Sequence, residues 1–358
     1  MELNLIFRMQ RIFITHIVPQ EKILQYNMSV AASNFCHNLI NGGVFDKVYS
    51  ILPTFVNGKI ERFSGLIYSS FRGNRFLRRV APIVEDAKLF FKIPSKSSVW
   101  YYNCTILNAP LIVMLMLLKP SVKQQMIILD YTPSKKPIER FFLWLTNKMD
   151  GTIRLADSPL FTVKNSVCLP GVVPMTTTQY PVISEIKPEF LISGALGDNI
   201  AMLPMLLECF SRLPHMKLHI TGKAPNLELI ERYETKHKNI VYHGMMDYDR
   251  YLQLLHDVPF MLSTRNPTYP ENQCNFPSKI IEALLHNRIV ISTLHYPQLK
   301  GIRYHEVPAQ IDGFCSAICK IAQMPQKEQL AYANQSEEVK RRFNTEVWKL
   351  NLEKIENQ

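Results

Sequence analysis

Long apolar runs are absent from this 358-residue sequence. The longest, Ile106 to Leu118, is interrupted by Asn108 and Pro110 and falls well short of the roughly 20 residues that a membrane-spanning helix needs. The apolar residues 12–18 lead directly into a polar segment without a small-residue cleavage site. We therefore expect neither a membrane-spanning helix nor a secretion signal.

Paired cysteines and metal-ligand patterns are also missing. The seven cysteines include no Cys-x-x-Cys pair and mostly lie in apolar runs, where a thiol acts as a small hydrophobic group. The ten histidines show no ligand-like spacing. The sequence therefore predicts a reducing, cytoplasmic location, no metal and no bound cofactor.

Acidic residues are scarce in only one half of the chain. Residues 1–180 contain 21 Lys and Arg against 10 Asp and Glu, a net charge of +11, whereas residues 181–358 contain 20 of each. A one-sided basic surface attracts phospholipid headgroups, a lipid pyrophosphate or nucleic acid, or it simply keeps the protein soluble. Nucleic acid ranks lowest, because no recognised nucleic-acid-binding module accompanies the charge.

Two domains are expected from the chain length and from the order of the predicted elements. Strand and helix patterns alternate up to residue 174, stop in a proline- and threonine-rich linker at 175–188, and then restart. The later elements include predicted helices over Ile200 to Leu213 and Ser336 to Ile355. The predicted fold is α/β, with two Rossmann-like doubly wound domains, 1–180 and 181–335, facing across a cleft. The segment 336–358 is expected to pack back on the first domain.

The segment from Asn275 to Leu284 carries the most specific chemistry. Pro277 suits the first turn of a helix, so a helix should begin just before Lys279, with its free N–H groups at the sheet edge where α/β domains bind phosphates. Lys279 and Glu282 share one face, so the lysine can meet a pyrophosphate and the carboxylate can accept both hydroxyls of a ribose cis-diol. Asn287 should end the helix in the left-handed conformation. Taken alone, these residues are more typical of the solvated stripe of an amphipathic helix.

Five motifs follow one another between Phe190 and Thr293, and their order outweighs that alternative. They are Gly194-Ala195-Leu196-Gly197, Thr221-Gly222-Lys223, His243-Gly244, Pro277-Ser278-Lys279-Ile280-Ile281-Glu282 and Val290-Ile291-Ser292. In this order and spacing they resemble the C-terminal domain of the retaining, nucleotide-sugar-dependent bacterial glycosyltransferases with the two-Rossmann (GT-B) architecture, of the group 1 or family 4 type.

The resemblance implies a set of donor-binding residues. They are Gly194, Leu196, Gly222, Lys223, Asn275, Pro277, Ser278, Lys279 and Glu282. Lys279 and Glu282 are also implied as catalytic residues. Many members place a second glutamate eight positions before the one matching Glu282, but here Cys274 stands there, so the contact to the transferred sugar is missing or comes from Asn275. Gly197-Asp198-Asn199 replaces a usual basic pair, which leaves the pyrophosphate charge to Lys223 and Lys279.

Weaker signals complete the set of candidates. His16 closes the first predicted strand of the first domain, and Asp130 lies at the end of a later one. Both are expected at the cleft, Asp130 where the family commonly has a histidine. The triplet Asp247-Tyr248-Asp249 resembles a metal-binding Asp-x-Asp, but it starts a helix, where aspartates cap free N–H groups. A basic cluster interleaved with apolar residues is a candidate membrane or acceptor contact, although an ordinary water-facing amphipathic helix is as compatible with it. Its basic members are Arg72, Arg75, Arg78 and Arg79.

The sequence and the resemblance together imply a metal-independent hexosyltransferase. It would move a sugar from a nucleoside diphosphate sugar to a glycan or lipid-linked oligosaccharide acceptor in cell-surface polysaccharide synthesis, on the inner face of the cytoplasmic membrane. Two alternatives stay open. They are a nucleotide-sugar epimerase of the same architecture and a non-catalytic nucleotide-sugar-binding protein.

Overall fold

The computed structural model describes residues 9–23, 25–26, 28–52, 62–63, 66–69, 75–134, 136–174 and 178–358. For the described residues between 62 and 79 it describes the backbone alone. The chain forms two compact units, Met1–Met175 with Phe343–Gln358, and Thr176–Arg342. The last residues therefore belong to the first unit. Among the described residues, no helix combines the length and the apolar character that crossing a membrane requires.

Strands and helices alternate along most of the chain. The strands are β1 Gln10–Thr15, β2 Lys47–Ile51, β3 Arg62–Phe63, β4 Leu66–Ser69, β5 Ser97–Tyr102, β6 Lys123–Ile128, β7 Gly151–Arg154, β8 Ser166–Cys168, β9 Glu189–Ala195, β10 Lys217–Lys223, β11 Ile240–Tyr242, β12 Phe260–Ser263, β13 Ile289–Ser292 and β14 His305–Glu306. The helices are α1 Val30–Asn41, α2 Arg75–Lys92, α3 Ala109–Leu118, α4 Pro137–Thr146, α5 Asp198–Ala201, α6 Leu203–Ser211, α7 Leu227–Lys236, α8 Tyr248–Asp257, α9 Pro270–Cys274, α10 Ser278–Leu285, α11 Ile311–Gln323, α12 Gln326–Leu330, α13 Ser336–Phe343 and α14 Thr345–Glu356.

The first unit is built on one sheet with the strand order β3-β4-β2-β1-β5-β6-β7-β8. All neighbouring pairs are parallel except β3 with β4. Because crossovers between parallel strands are right-handed, α2, α3 and α4 lie on one face of this sheet and α1 on the other. The apolar strands are buried on both faces, as expected for a parallel sheet between helix layers.

The C-terminal helix α14 closes the face that carries α1. Trp348, fully buried, packs edge-on against Phe35 of α1 with ring centroids 5.4 Å apart. Two glycines make this approach possible, because a Cβ at Gly42 would lie 2.2 Å from Thr345 Cγ2, and one at Gly151 would lie 2.2 Å from Ile355 Cγ2. The helix thus completes the core of the first unit.

A buried ion pair fixes the end of α14 beneath the sheet. Arg11 on β1 is fully buried, and its Nε and Nη2 donate to the carboxylate of Glu356 at 2.7 to 2.9 Å. The same carboxylate accepts hydrogen bonds from the Ser98 hydroxyl at 2.6 Å and the Trp100 indole N–H at 3.0 Å. Burying a charge is costly unless it is paired and hydrogen-bonded, and Glu356 is both.

The second unit is a six-stranded parallel sheet with the order β11-β10-β9-β12-β13-β14. From β9 the chain winds to β11 in one direction, and from β12 it winds to β14 in the other, so helices cover both faces. The reversal between β9 and β12 is the topological switch point, the place where open α/β sheets bind ligands beyond the carboxyl ends of their strands.

Two helices that were predicted as continuous are each divided into two helices in the structure. The helix expected over Ile200 to Leu213 is split into α5 and α6 at Met202, which has a left-handed φ of 48°. Pro204 lacks the N–H that would continue the helix from α5. The helix expected over Ser336 to Ile355 is split at Asn344, whose side chain instead caps α14 by accepting from the Val347 N–H at 2.9 Å. Helix α13 stays with the second unit, where the Ser336 N–H donates to Asn287 Oδ1.

Candidate functional site

Two glycines lie side by side where β9 and β10 end. Gly194 and Gly222 pair in register and have φ angles of 108° and 129°, which only glycine adopts readily. A Cβ on Gly222 would lie 2.0 Å from the Gly194 carbonyl oxygen. The carboxyl edge of the sheet therefore exposes backbone without side chains on the β9 side of the switch point. We call the backbone of Gly194 and Gly222 the glycine floor.

Helix α10 begins beside this floor, as predicted. Its first residue is Ser278, Pro277 occupies the N-cap position, and no side chain caps the helix start. The Ile280 N–H donates back to the Pro277 carbonyl at 3.0 Å. At the other end Asn287 has a φ of 64°, so the predicted left-handed stop is confirmed. The positive end of the helix dipole consequently lies at the carboxyl edge of the sheet.

Lys279 crosses the glycine floor. A Cβ built on Gly194 would lie 3.0 Å from Lys279 Cε, so the lysine stem lies over the glycine backbone. The ammonium nitrogen lies 4.4 Å from the centroid of the Tyr251 ring and 3.9 Å from Glu282 Oε2. Desolvation lowers the pKa of Lys279, while the charge of Glu282 opposes that shift. The lysine is an incompletely paired cation, and its side chain keeps 36% of its exposure.

Glu282 is held by two tyrosine hydroxyls. Tyr251 donates to Oε2 at 2.8 Å and Tyr248 donates to Oε1 at 3.3 Å. Burial, followed by the charge of Glu282, raises the pKa of the Tyr251 phenol well above its usual value. Each carboxylate oxygen keeps room for a further donor, because an ionised carboxylate offers about four acceptor sites. An orientated but unsaturated carboxylate is what binding a diol requires.

The two tyrosines were not anticipated from the sequence. Both come from α8, which lies on the same sheet face as α10 because both crossovers run in the same direction along the strand order. Their spacing of three residues puts them on one helix face, which was the available signal. Their contact with Glu282 is tertiary, so helix periodicity could not reveal it.

The remaining predicted donor residues lie around this pair with different exposure. Leu196 is fully buried and its N–H donates to the Lys223 carbonyl at 3.0 Å, so its side chain belongs to the core and not to a binding surface. Lys223 is exposed at the end of β10. Asn275 and Pro277 are half-buried, Ser278 is exposed, and Cys274 is buried at 5% exposure.

His16 is a buried histidine with hydrogen bonds at both ring nitrogens. Its Nδ1–H donates to the Ile51 carbonyl at 2.9 Å, and its Nε2 accepts from the Thr105 hydroxyl at 3.3 Å. Burial lowers the pKa of His16 to about 4. Both ring nitrogens are occupied and the ring is neutral, so His16 holds β1 to its neighbours. Asp130 is exposed two residues after β6.

Two other predicted features have definite positions. The Asp247 side chain accepts from the Arg250 N–H at 2.9 Å at the start of α8, so its capping role is confirmed. Arg75, Arg78 and Arg79 lie in α2 with only their backbone described, and Arg72 lies outside the described residues. Within the described ranges, no three His, Cys, Asp or Glu side chains converge as metal ligands.

Comparison with solved structures finds proteins of similar fold. No protein-family model matches the sequence, and no curated protein does. An E. coli trehalose-6-phosphate structure bound with UDP-2-fluoro glucose superposes with a TM-score of 0.68 at 9% identity, covering 97% of this chain and 99% of that one. The UDP-forming α,α-trehalose-phosphate synthase of Burkholderia xenovorans, in complex with glucose-6-phosphate, gives 0.65 at 11%, covering 96% and 99%. The lipopolysaccharide outer core galactosyltransferase WaaB gives 0.62 at 15%, covering 97% and 99%.

The superpositions extend over nearly the whole of each chain, so both units take part in the similarity. The fold of this chain is therefore GT-B, two Rossmann-like α/β units, as the sequence predicted. At identities of 9% to 15% the similarity concerns the fold, and the chemistry has to be argued from the residues of this chain.

Proposed function

We propose that this chain is a glycosyltransferase that moves a sugar from a nucleoside diphosphate sugar to an acceptor. The observation that carries the proposal is the pairing of Lys279 and Glu282 at the start of α10, over the glycine floor and beside the switch point of the second sheet. Phosphates favour such a helix start, and nucleotides favour such a sheet edge. The structural relatives bound with UDP-2-fluoro glucose and glucose-6-phosphate have the same fold.

The site assigns a different task to each charged group. Glu282, orientated by Tyr251 and Tyr248, accepts the two hydroxyls of the ribose. Lys279 and the free N–H groups of α10 meet the diphosphate, and Lys223 adds a second cation from the end of β10. When the bond between the anomeric carbon and the diphosphate oxygen breaks, negative charge develops on the leaving group. These donors stabilise that charge. The acceptor hydroxyl oxygen forms the new bond to the anomeric carbon, and its proton passes to the departing diphosphate.

We further propose that transfer is retaining, that it requires no metal or cofactor, and that the acceptor is a glycan or lipid-linked oligosaccharide. The cations of the site supply the charge that a metal would otherwise bring to the diphosphate. The charge of +11 on residues 1–180 supports an anionic lipid acceptor or an anionic membrane surface. The proposal includes a peripheral position at the cytoplasmic membrane and a role in cell-surface polysaccharide synthesis.

A binding protein without catalysis is the second candidate, because of Cys274. Its thiol stands where many related transferases have a glutamate for the transferred sugar, and it is buried at 5% exposure. A protein of this kind would bind the donor and leave it intact. Prolonged incubation of donor with acceptor lipid extract separates the two candidates, because only a transferase releases nucleoside diphosphate.

The direct test is thermal unfolding with UDP, GDP, ADP and their sugars. A ligand at a hundred times its Kd stabilises the folded protein by about 2.7 kcal/mol, so one nucleotide series should raise the unfolding midpoint. Glu282→Ala should lose that increase and the turnover, while the unfolding midpoint of the free protein stays close to wild type. Glu228→Ala, an exposed carboxylate in the first turn of α7, is the matched control. If no nucleotide shifts the midpoint, or if Glu282→Ala responds like wild type, the proposal is wrong.

A further inference from the structure

The helices on one face of the first unit expose an unusual amount of apolar surface. Thirteen large hydrophobic side chains are exposed among the described residues of this unit, and nine of them lie on α2, α3 and α4. They are Val80, Ile83, Val84, Phe91, Leu117, Leu118, Ile138, Phe141 and Trp144. Nine exposed apolar side chains on three helices of one sheet face indicate an interaction site. We call α2, α3 and α4 the apolar helix layer.

Helix α3 is apolar on every side, with the sequence Ala-Pro-Leu-Ile-Val-Met-Leu-Met-Leu-Leu. A helix packed on a sheet normally buries one apolar stripe and presents a polar face to water, whereas an all-apolar helix is normally buried. Here Leu111, Ile112 and Leu115 are buried, while Leu117 and Leu118 are 74% and 66% exposed. The outer side of α3 therefore lacks the polar residues that contact with water alone would favour.

Helix α4 adds an aromatic edge to the layer. Phe141 and Trp144 stack with ring centroids 5.9 Å apart, and they are 40% and 52% exposed. The Lys148 ammonium lies 5.9 Å from the Trp144 ring, at the limit of a cation–π contact. Tryptophan beside a basic residue is typical of surfaces that sit at the headgroup level of a bilayer.

The charge of the layer selects the partner. On the described side chains of α2, α3 and α4, the exposed charged residues are Lys88, Lys92 and Arg140, all basic. The acidic residues of these helices are half-buried or buried, and Glu85 is paired with Lys88 at 2.7 Å. A symmetric dimer through this face would bring the same cations together, which disfavours a second copy as the partner. An anionic lipid surface complements both the apolar side chains and the cations.

We propose that the apolar helix layer docks on an anionic bilayer, with Phe91, Phe141 and Trp144 entering the headgroup region. The inference rests on the membrane contact proposed above and sharpens it, because it assigns the contact to the exposed apolar side chains of the layer and not to the basic residues of α2 alone. It is independent of the nucleotide site in the second unit. A variant that loses membrane binding can therefore still be tested for nucleotide binding, and the reverse also holds.

The three tryptophans provide the test. Trp100 and Trp348 are fully buried, whereas Trp144 is 52% exposed, so Trp144 dominates any change in emission or iodide quenching. We expect vesicles of phosphatidylcholine with phosphatidylglycerol to shift the emission to the blue and to protect it from iodide. Vesicles of phosphatidylcholine alone should do so much less. Trp144→Phe should remove the signal without preventing co-sedimentation.

Two serine variants separate the docking face from the rest of the unit. The double variant Phe91→Ser with Phe141→Ser keeps the Trp144 reporter and should weaken vesicle binding about tenfold or more, because two apolar side chains no longer leave water. Leu350→Ser is the matched control. Leu350 is 57% exposed on α14, on the face that carries α1, so its variant should bind like wild type. Unchanged unfolding midpoints identify the variants as folded.

Each other outcome overturns the inference. Co-sedimentation without any change at Trp144, or equal binding by the double serine variant, would assign docking to the arginines alone, without the apolar side chains of the layer. Trp144 protected from iodide without vesicles, in a concentration-dependent oligomer, would show that a second copy covers the layer. Wild type that does not sediment with anionic vesicles at low salt would remove the membrane contact altogether. A nucleotide-induced thermal shift retained in any of these cases would leave the glycosyltransferase proposal standing.

Discussion

Two cation–carboxylate pairs, Arg11 with Glu356 in the first unit and Lys279 with Glu282 in the second, differ in almost every physical respect. In the first unit, Arg11 and Glu356 are fully or nearly fully buried and meet at 2.7 to 2.9 Å, with Ser98 and Trp100 as further donors. In the second unit, Lys279 and Glu282 are 3.9 Å apart and keep 36% and 25% of their side-chain exposure. The first carboxylate has no room for a ligand, whereas the second is orientated and unsaturated. Saturation and burial thus separate a structural pair from a candidate binding pair.

The largest effect should come from breaking the saturated pair. Glu356→Ala leaves Arg11 as an uncompensated buried charge, and losing one partner of such a pair costs about 3–5 kcal/mol of unfolding free energy. Urea unfolding measures this loss. Glu353→Ala is the control, because Glu353 lies 3.6 Å from Arg11 but is 47% exposed, so its loss should cost under about 1 kcal/mol. Equal costs for both variants would mean that the buried network contributes nothing beyond a surface pair.

Breaking the pair of Lys279 and Glu282 should lower ligand affinity and leave the unfolding free energy nearly unchanged. Lys279→Ala removes the cation over the glycine floor and should weaken nucleoside diphosphate binding about 10- to 150-fold, the equivalent of about 1.5–3 kcal/mol for a hydrogen bond to a charged group. Nucleoside binding should change much less, since Glu282 remains. Isothermal titration with both ligands measures this difference. In wild type, diphosphate affinity should fall as the pH rises through the lowered pKa of Lys279.

A result with equal losses for nucleoside and nucleoside diphosphate would contradict separate roles for Lys279 and Glu282. A large fall in unfolding free energy for Lys279→Ala would contradict the contrast itself. It would mean that Lys279 and Glu282 form a structural pair, as Arg11 and Glu356 do.

A third carboxylate, that of Asp86, extends the comparison, because it is buried and has only one hydrogen bond to its oxygens among the described contacts. Asp86 accepts one hydrogen bond, from the Leu111 N–H at 3.2 Å, and burial raises its pKa from 3.8 to about 8. The folded state therefore holds a proton that the unfolded state releases, so this group's stabilisation is full below pH 3.8 and is lost progressively up to about pH 8. Asp86→Asn mimics the protonated form. Its advantage over wild type should be greater at pH 8 than at pH 5 by at least about 1.4 kcal/mol, the equivalent of one pKa unit.

Unfolding by urea at the two pH values provides the measurement. A constant difference between Asp86→Asn and wild type would mean that Asp86 keeps its ordinary pKa. Glu85→Gln is the neighbouring control, since Glu85 is half-buried and paired with Lys88.

The smallest effect concerns an aspartate that caps a helix and forms one exposed ion pair, with Arg250 at 3.5 Å. Asp247→Ala removes the acceptor for the Arg250 N–H and should cost about 1 kcal/mol of unfolding free energy. Turnover should persist, and EDTA should leave it unchanged, because the site's cations are proposed to meet the diphosphate without a metal. Complete loss of turnover in EDTA, restored by manganese, would show that this triplet or another group binds a metal.

Local signals made the sheets and the start of α10 predictable. Pro277 and Asn287 mark the two ends of that helix through backbone preferences that depend on single residues. Short apolar runs predicted most strands, because a parallel strand that is buried on both faces is a continuous apolar stretch of sequence. The split at Met202 had a visible cause, the missing N–H of Pro204, which the helical periodicity outweighed.

Contacts between distant elements were beyond reach. Tyr251 and Glu282 are 31 residues apart and meet only because α8 and α10 share a sheet face. Arg11 and Glu356 are 345 residues apart, and no periodicity or motif connects them. His16 ends the expected strand region, but its neutral, doubly bonded state depends on Ile51 and Thr105, which β2 and the loop after β5 bring to it. Sequence patterns locate elements, whereas saturation of a polar group is a property of the assembled core.

The first unit is made of two chain segments, Met1–Met175 and Phe343–Gln358, with the second unit inserted between them. During synthesis the ribosome therefore completes the second unit before it produces the helix that supplies Trp348 and Glu356. Until then Arg11 lies in an unfinished core without its carboxylate, so the first unit should mature last although it emerges first. We therefore expect the order of folding to be the reverse of the order of synthesis, with nascent chains halted before residue 343 acquiring protease resistance in the second unit alone.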